Sequence, residues 1–181
     1  MAVLIFGGWW ANFTGPGVFQ KEVYYDDVWS LDVASGTWTM LMVNGTGPSK
    51  RAAPAMAVWN NKLYVFGGNM WTKTFQEIYD DMYALALADS PTKVSTWTRI
   101  PTGKSAPTKR SHALFLAMPM KLTLVGGVGE QEEELFDAWT YTQALGWQEL
   151  HTTAEGQEQS LTFNQYDTFA LAGSAINSRV W

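Results

Sequence analysis

The sequence contains no cysteine, which excludes disulfide bonds, thiolate catalysis and cysteine-ligated metals. It has only two histidines, His112 and His151. A hydrolase triad or a zinc site would need acid–base partners or clustered ligands beside a histidine, and the sequence gives no sign of either. We therefore predict no catalytic residue, no metal site and no cofactor.

Long hydrophobic runs and basic clusters are also missing. No apolar stretch approaches the ~18 residues that a membrane-spanning helix needs, and the start, MAVLIFGGWW, lacks the basic leader of a secretory signal. The formal net charge is -5, whereas phosphate binding needs clustered Lys and Arg. We expect neither a membrane nor a nucleic acid as a partner, and these absences favour a cytoplasmic location.

Aromatic residues, by contrast, are abundant. They make up 14% of the 181 residues and include ten Trp, within a hydrophobic fraction of 46%. This composition is typical of a globular protein, and the length allows one domain with a sizeable core. Such an aromatic content favours an all-β fold with aromatic packing between sheets.

One ordered set of features occurs three times along the chain. A glycine pair follows a short apolar strand pattern, an acidic-aromatic segment comes next, and a Trp segment ends the unit. Lys-Arg precedes the second and third units. The repeated residues are Gly7, Gly8, Asp27 and Trp38 in the first unit; Arg51, Gly67, Gly68, Asp81 and Trp97 in the second; and Arg110, Gly126, Gly127, Asp137 and Trp147 in the third.

Each complete unit is predicted to contain four short strands, because its segments are rich in β-branched and aromatic residues and are separated by turn residues. Asn60-Asn61 is a tight hairpin signal between strands one and two of the second unit. The predicted strands are 55–59, 62–66, 81–87 and 96–100 in the second unit, and 113–117, 121–125, 137–142 and 146–150 in the third.

Four-stranded antiparallel units of about 50 residues indicate β-propeller blades. The order of glycine pair, Asp-x-Trp/Tyr segment, Trp and Arg resembles the kelch-repeat family over nearly the whole chain. The glycines would then lie where strand two leaves the blade and turns, a position that favours positive φ and close backbone approach. The chain departs from the family pattern at Ala53, where His is usual, and at Ala138, where a second Asp would follow Asp137.

The resemblance implies an all-β fold of kelch-type β-propeller blades, each of four antiparallel strands, in an incomplete ring. The first blade, 1–44, opens on strand two; 51–100 and 110–150 are complete blades, and 160–181 begins a degenerate fourth. A closed ring usually needs roughly 250–350 residues. We expect a fragment of a longer protein; the alternatives are several arcs that assemble into a ring and a stable open monomer. The isolated arc should self-associate through its apolar faces and strand edges.

Loops after strands two and four should lie on the same face of such blades, and most long loops of this chain belong to that class. They are 9–24, 69–79 and 128–135, together with the crossovers 42–50 and 101–109. Their aromatic and lysine side chains are the candidate partner-binding residues, although the aromatics could instead cap the blade ends. These candidates are Trp9, Trp10, Phe13, Phe19, Lys21, Lys50, Trp71, Lys73, Phe75 and Lys109.

Other repeated residues are expected to be structural. The family resemblance implies an inter-blade or channel-facing role for Arg51 and Arg110, with Asp27 or Asp81 as acidic partners, and contact with a partner protein is the alternative. The acidic run EQEEE at 130–134 is interpreted as a solvated loop or as a contact for a basic partner. The residues predicted to be core are Trp29, Trp38, Tyr83, Trp97, Trp139 and Trp147.

The chemistry of two kelch-like groups does not fit this sequence. Galactose oxidase-like enzymes need a Tyr-Cys cross-link, and the chain has no Cys. Nitrile-specifier-like proteins carry Glu-x3-Asp-x3-His, and the three partial copies here have Ser30, Leu85 and Tyr141 in place of His. The predicted function is a protein–protein interaction module or scaffold without catalysis, within an adaptor-type protein. The alternative is a propeller enzyme or lectin-like domain that binds a small molecule such as a sugar.

Overall fold

The computed structural model describes residues 2–15, 18–72, 75–103 and 105–150, with 13–15 and 18–20 described as backbone alone. These residues form strands and turns, and none of them belongs to a helix that could cross a membrane. The strands are β1 (Ala2–Phe6), β2 (Trp9–Gly15), β3 (Val18–Tyr24), β4 (Val28–Asp32), β5 (Thr37–Met40), β6 (Val43–Gly45), β7 (Ala55–Trp59), β8 (Lys62–Phe66), β9 (Asn69–Trp71), β10 (Gln76–Ile78), β11 (Met82–Ala86), β12 (Ser95–Ile100), β13 (Leu114–Ala117), β14 (Leu122–Val128), β15 (Glu134–Thr142) and β16 (Gly146–Glu149).

The second and third blades have the predicted four-stranded antiparallel form. Blade 3 has the order β13-β14-β15-β16, and blade 2 has β7-β8-β11-β12 with the same connections. The predicted strands 55–59 and 62–66 are observed with the same bounds as β7 and β8. Asn60 and Asn61 have φ of 48° and 56°, as the two central residues of a type I′ hairpin require. The tight hairpin signal is therefore confirmed.

Blade 1 is a three-stranded sheet in the order β1-β4-β5. It lacks strand one within the described residues, as the sequence predicts. β6 was expected to belong to the first blade and its crossover, but it pairs in parallel with β12 and adds a fifth strand to blade 2. Blade 1 therefore ends before Val43 and not at 44. The predicted fourth blade at 160–181 and His151 lie outside the described residues.

Two of the segments predicted as loops contain β-hairpins. β2 pairs with β3 inside 9–24, and β9 pairs with β10 inside 69–79. In blade 3, β14 and β15 continue past the glycine pair, with Val128 opposite Glu134. The loop prediction was wrong because the aromatic and β-branched residues that flank each turn pair with one another.

Neighbouring blades pack through the same two faces each time. The front face of blade 2 lies on Leu4, Phe6 and Val28, which belong to the back face of blade 1. The front face of blade 3 lies on the back face of blade 2 in the same way. The front-face residues are Leu63, Val65, Tyr83, Leu85 and Trp97 in blade 2, and Leu122, Leu124, Trp139, Tyr141 and Trp147 in blade 3; the back face of blade 2 is Tyr64, Phe66, Met82 and Ala84.

One aromatic contact repeats between both pairs of blades. Phe6 meets Trp97 edge-on at 5.6 Å between ring centroids, with an interplanar angle of 69°. Phe66 meets Trp147 in the same way at 5.3 Å and 66°. Equivalent residues at equivalent distances show that the blade interface is a repeated unit and not two separate packing solutions.

The front face of blade 1 has no such cover among the described residues. Val3, Ile5 and Trp38 are 39%, 43% and 45% exposed, whereas Trp97, at the same repeat position as Trp38, is 5% exposed. The prediction that Trp38 is core is therefore wrong for this arc, and Trp29 is only partly buried. The same prediction is confirmed for Tyr83, Trp97, Trp139 and Trp147.

Candidate functional site

The joint between blades lies at the base of the hairpins. The Gly8 N–H of blade 1 donates to the Arg51 carbonyl oxygen at 2.8 Å, and the Arg51 N–H donates to the Tyr25 carbonyl oxygen at 3.2 Å. Gly68 donates to the Arg110 carbonyl oxygen at 2.8 Å in the next joint. The end of each crossover therefore lies beside the base of the preceding hairpin, on one face of the blades, as predicted.

The glycine pairs are needed both for their backbone angles and for the space they leave. Gly7 and Gly8 have φ of +68° and +101°, and Gly67 and Gly68 have +64° and +98°, a region that side chains disfavour. A Cβ on Gly7 would lie 2.6 Å from the Arg51 carbonyl oxygen. Both reasons predicted for the double glycine are confirmed, and Gly126 and Gly127 repeat the same angles.

The arginine side chains are buried and fully engaged. Arg51 forms a two-pronged ion pair with Asp81, at 2.5 and 3.1 Å, and also donates to the Gly67 carbonyl oxygen at 2.9 Å. Arg110 binds Asp137 in the same way at 2.5 and 2.8 Å. The exposed fractions of Arg51 and Arg110 are 0% and 1%. This burial contradicts the alternative that these arginines contact a partner.

Arg51 and Arg110 each connect the preceding blade to their own blade. The main chain of each arginine joins the preceding blade, and its side chain fixes strand three of its own blade. Asp81, one of the two partners expected for Arg51, is therefore confirmed. Asp27, the other one, instead accepts a hydrogen bond from the Trp29 indole at 2.7 Å.

Asp137 corresponds to the second Asp of the repeat. It binds Arg110, as Asp81 binds Arg51, and accepts the Trp139 indole N–H at 2.6 Å. Phe136 therefore stands where blade 2 has its first Asp, and the departure assigned to Ala138 belongs to Phe136 instead. Burial alone would raise the pKa of Asp137, but the hydrogen bonds from Arg110 and Trp139 outweigh it and lower that pKa.

Sequence reasoning missed the residues that support the arginines. The Arg51 guanidinium lies 4.0 Å from the ring centroid of Tyr79, a cation–π distance. Ser49 and Thr108 accept hydrogen bonds on their hydroxyl oxygens from Arg51 and Arg110 at 3.0 and 3.1 Å. The available signal was the repeated Ser/Thr-Lys-Arg at 49–51 and 108–110.

The aromatic candidates lie on the two hairpins and are half-exposed. Trp9, Trp10, Trp71 and Phe75 are 49%, 50%, 48% and 58% exposed. About half of each side chain is accessible and half is covered, so capping of the blade ends and contact with a partner both stay predictions. The side chains of Phe13 and Phe19, and all of Lys73, lie outside the described residues.

The two hairpins are joined through Tyr24, which the sequence did not single out. The Trp71 N–H donates to the Tyr24 hydroxyl at 3.1 Å. The Tyr24 ring stacks on Trp9 with 6.3 Å between centroids and an interplanar angle of 20°. Tyr24 therefore contacts Trp9 of its own hairpin and the main chain of Trp71 in the next blade.

The lysine candidates that the structure describes are Lys21, Lys50 and Lys109, and Lys109 forms an ion pair. Lys21 and Lys50 lie at the surface. The Lys109 ammonium lies 3.1 Å from Glu130, a residue of the acidic run at 130–134. This run forms the turn between β14 and β15, so it lies on the same face as the hairpins.

His112 occupies a structural position. Its φ of 58° matches the 47° of Ala53, which shows that Ala53 is the equivalent residue in blade 2. The main-chain N–H of His112 donates to the Ala53 carbonyl oxygen at 3.0 Å. Partial burial lowers the pKa of the His112 imidazole. Across the part of the chain that the structure describes, no three His, Asp or Glu residues are grouped as a metal site.

Comparisons with known proteins give a consistent result. A model of the KLHDC2/KLHL20/DRC7 Kelch-repeats domain matches residues 2–167. Kelch domain-containing protein 1 of Mus musculus is 30% identical over 155 residues, which cover 76% of this chain and 36% of that relative. Kelch domain-containing protein 2 of Bos taurus is 33% identical over 119 residues, 64% of this chain and 27% of that relative. The chain thus spans about a third of the length of these curated relatives.

Solved structures show the same fold. The structure of YjhT superposes with a TM-score of 0.60 at 17% sequence identity. The match covers 85% of this chain and 50% of that chain. At this identity the likeness shows the fold and carries nothing about function.

Proposed function

The chain belongs to the kelch-repeat family, and we propose that it is a protein–protein interaction module of a longer, adaptor-type protein. The partner binds the aromatic surface of the β2–β3 and β9–β10 hairpins. The exposure of Trp9, Trp10, Trp71 and Phe75 carries this proposal. Interfaces are enriched in Trp, Tyr and Phe, and Trp is frequent among the residues that contribute most to binding.

The rigidity of the hairpin bases supports the same function. Each hairpin is rooted in a glycine pair, and hydrogen bonds to Arg51 or Arg110 fix the second glycine of that pair. The Trp71–Tyr24 hydrogen bond then links the two hairpins. A surface that is already ordered loses less conformational entropy when a partner binds.

The test is capture of a partner from the protein's own source with matched variants. Trp9→Ala/Trp10→Ala and Trp71→Ala/Phe75→Ala should each lose a protein that the wild-type chain captures. Leu145→Ala is the control, because Leu145 is also exposed but lies in the β15–β16 turn. Undiminished capture by both hairpin variants would refute the proposal. A sugar that raises the melting temperature in proportion to its concentration would favour the small-molecule alternative.

The open front face of blade 1 supports the second part of the proposal, a longer protein. Val3, Ile5 and Trp38 are exposed at positions whose equivalents in blade 2 are buried against a neighbouring blade. A further blade of the same polypeptide would bury them by the same packing. In the isolated chain this apolar face drives self-association instead.

The mass of the native polypeptide tests this part. Mass spectrometry of the protein from its own source should give a mass well above the 20.2 kDa of this chain. A native mass of 20.2 kDa would contradict the longer-protein proposal and leave a second copy as the cover for the open face.

A further inference from the structure

The charges around the aromatic hairpins indicate the chemistry of the partner. Three hairpins follow strand two: β2–β3, β9–β10 and the extension of β14–β15. Their exposed carboxylates outnumber the described lysines on the same face, which are Lys21, Lys50 and Lys109. The carboxylates are Glu22, Glu77, Glu130, Glu132, Glu133 and Glu134, with Asp26 and Asp80 at the hairpin bases.

The register of the first hairpin places a carboxylate beside the stacked rings. Trp9 is opposite Tyr24, and Ala11 is opposite Glu22. Because side chains alternate along a strand, Trp9, Tyr24 and Glu22 share one face of the hairpin. Lys21 lies on the other face. The hydrogen bond from Trp71 to the Tyr24 hydroxyl turns the face with Glu22 toward the second hairpin.

Other carboxylates lie near the same hairpins. The pKa of Tyr24 is raised mainly by burial, and the charge of Glu22 adds to the shift. Glu77 lies opposite Met70, so it is on the other face of the second hairpin from Trp71, and it accepts a hydrogen bond from the Tyr79 hydroxyl at 3.0 Å. The cation of Lys109 is already paired with Glu130, and Asp80 and Glu77 further raise the pKa of Lys109.

We propose that the face of the β2–β3 hairpin that carries Trp9, Tyr24 and Glu22 binds a cationic segment of the partner protein, with a lysine or arginine side chain against the Trp9 indole and its charge balanced by Glu22. Trp is the aromatic residue that attracts cations most strongly. Carboxylates of complementary charge speed association and disfavour acidic partners. This inference rests on the proposed function and adds the chemical class of its partner.

The test uses a fluorescently labelled peptide of alternating arginine and serine, with a peptide of alternating glutamate and serine as its counterpart. Fluorescence anisotropy should show binding of the arginine peptide alone, weakening as salt is added. Glu22→Gln should weaken binding roughly two- to fivefold, and Trp9→Ala roughly two- to tenfold. The control is Asp89→Asn, which removes an exposed carboxylate from the β11–β12 turn and should have no effect.

Three results would overturn the inference. The first is no binding of the arginine peptide, and the second is equal or tighter binding of the glutamate peptide. The third is an equal loss for Asp89→Asn and Glu22→Gln, which would mean that only net charge is recognised. If a captured protein partner needs Trp9 but binds the Glu22→Gln variant unchanged, the interaction module stands and the cationic partner fails.

Discussion

Gly7 of blade 1 and Arg51 of blade 2 approach so closely that a Cβ on Gly7 would lie 2.6 Å from the Arg51 carbonyl oxygen. The same arginine sends its side chain to Asp81 within its own blade. One residue therefore fixes the spacing of two blades and the start of strand three. The hairpins that carry the candidate surface begin at this joint, so their positions depend on it.

Alanine substitutions at Gly7 and Gly36 should separate two contributions to the free energy of unfolding: backbone strain, and the steric clash of a Cβ with a neighbouring carbonyl oxygen. Gly7 and Gly36 both have φ of +68°, but a Cβ on Gly36 would meet nothing within 4 Å. Gly36→Ala should lower the free energy of unfolding by about 1–2 kcal/mol, from backbone strain alone. Gly7→Ala should cost more than about 2 kcal/mol, because the Arg51 carbonyl must also move. Urea unfolding of both variants measures the difference, and equal losses would contradict the close-approach argument.

Removing the Arg110 guanidinium should leave the Asp137 carboxylate without its partner. Arg110→Met should lower the free energy of unfolding by about 2–4 kcal/mol, somewhat less than for a fully buried pair, because the Asp137 side chain is 26% exposed. Arg110→Met/Asp137→Asn is the control and should recover part of the loss, since no ionised group is then left unpaired. A double variant as unstable as the sum of the two single variants would show that the residues are not coupled.

Acidification should weaken the fold through Asp137. Burial raises its pKa, but hydrogen bonds from Arg110 and Trp139 reverse this, and the folded-state pKa is below the ordinary 3.8. A carboxyl with a lowered folded-state pKa stabilises the protein above its unfolded-state pKa, and this contribution is lost as the pH falls through the folded-state value. The free energy of unfolding should therefore fall below about pH 4.

Chemical denaturation at a series of pH values tests this dependence. Asp137→Asn should flatten the fall between about pH 4 and pH 2. Some dependence should remain, because hydrogen bonds from the Ala34 N–H and the Ser35 hydroxyl also lower the pKa of Asp32. An unchanged slope in Asp137→Asn would exclude Asp137 as a source of the acid sensitivity.

Short sequence patterns predicted the elements whose structure depends on residues close together in the sequence. β7 and β8 were predicted with their observed bounds because Asn60-Asn61 fixes the turn between them. The family resemblance implied Asp27 or Asp81 as a partner for Arg51, and the structure has Asp81 there. The hairpins inside 9–24 and 69–79 were not predicted, since turn residues and length alone favoured loops. The parallel pairing of β6 with β12 depends on a neighbouring blade, which no local pattern reports.

The candidate site was predicted in composition but not in geometry. Trp9, Trp10 and Trp71 were singled out because aromatic side chains occur on long segments beside lysines. The bond between the Trp71 N–H and the Tyr24 hydroxyl joins residues of different blades, and it follows from no spacing in the sequence. Sequence therefore identified the surface residues, whereas the structure alone showed that Tyr24 links the two hairpins.

Trp38 and Trp97 occupy the same repeat position and should respond differently to replacement. Trp97 is 5% exposed and contacts Phe6 and Tyr83, so Trp97→Ala should lower the free energy of unfolding by about 3–5 kcal/mol. Trp38 is 45% exposed on the open face of blade 1, so Trp38→Ala should cost less than about 1 kcal/mol.

Self-association of the isolated chain should depend on Trp38. Sedimentation velocity of the isolated chain should show self-association that increases with concentration, and Trp38→Ala should reduce it because the open apolar face then loses its largest exposed side chain. Leu145→Ala is the control, since it removes an exposed apolar side chain from a turn outside that face. Two results would contradict this prediction. They are a wild-type chain that stays monomeric and a Trp38→Ala variant that associates as strongly as wild type. Either result would show that the front face of blade 1 is not the surface through which the chain associates.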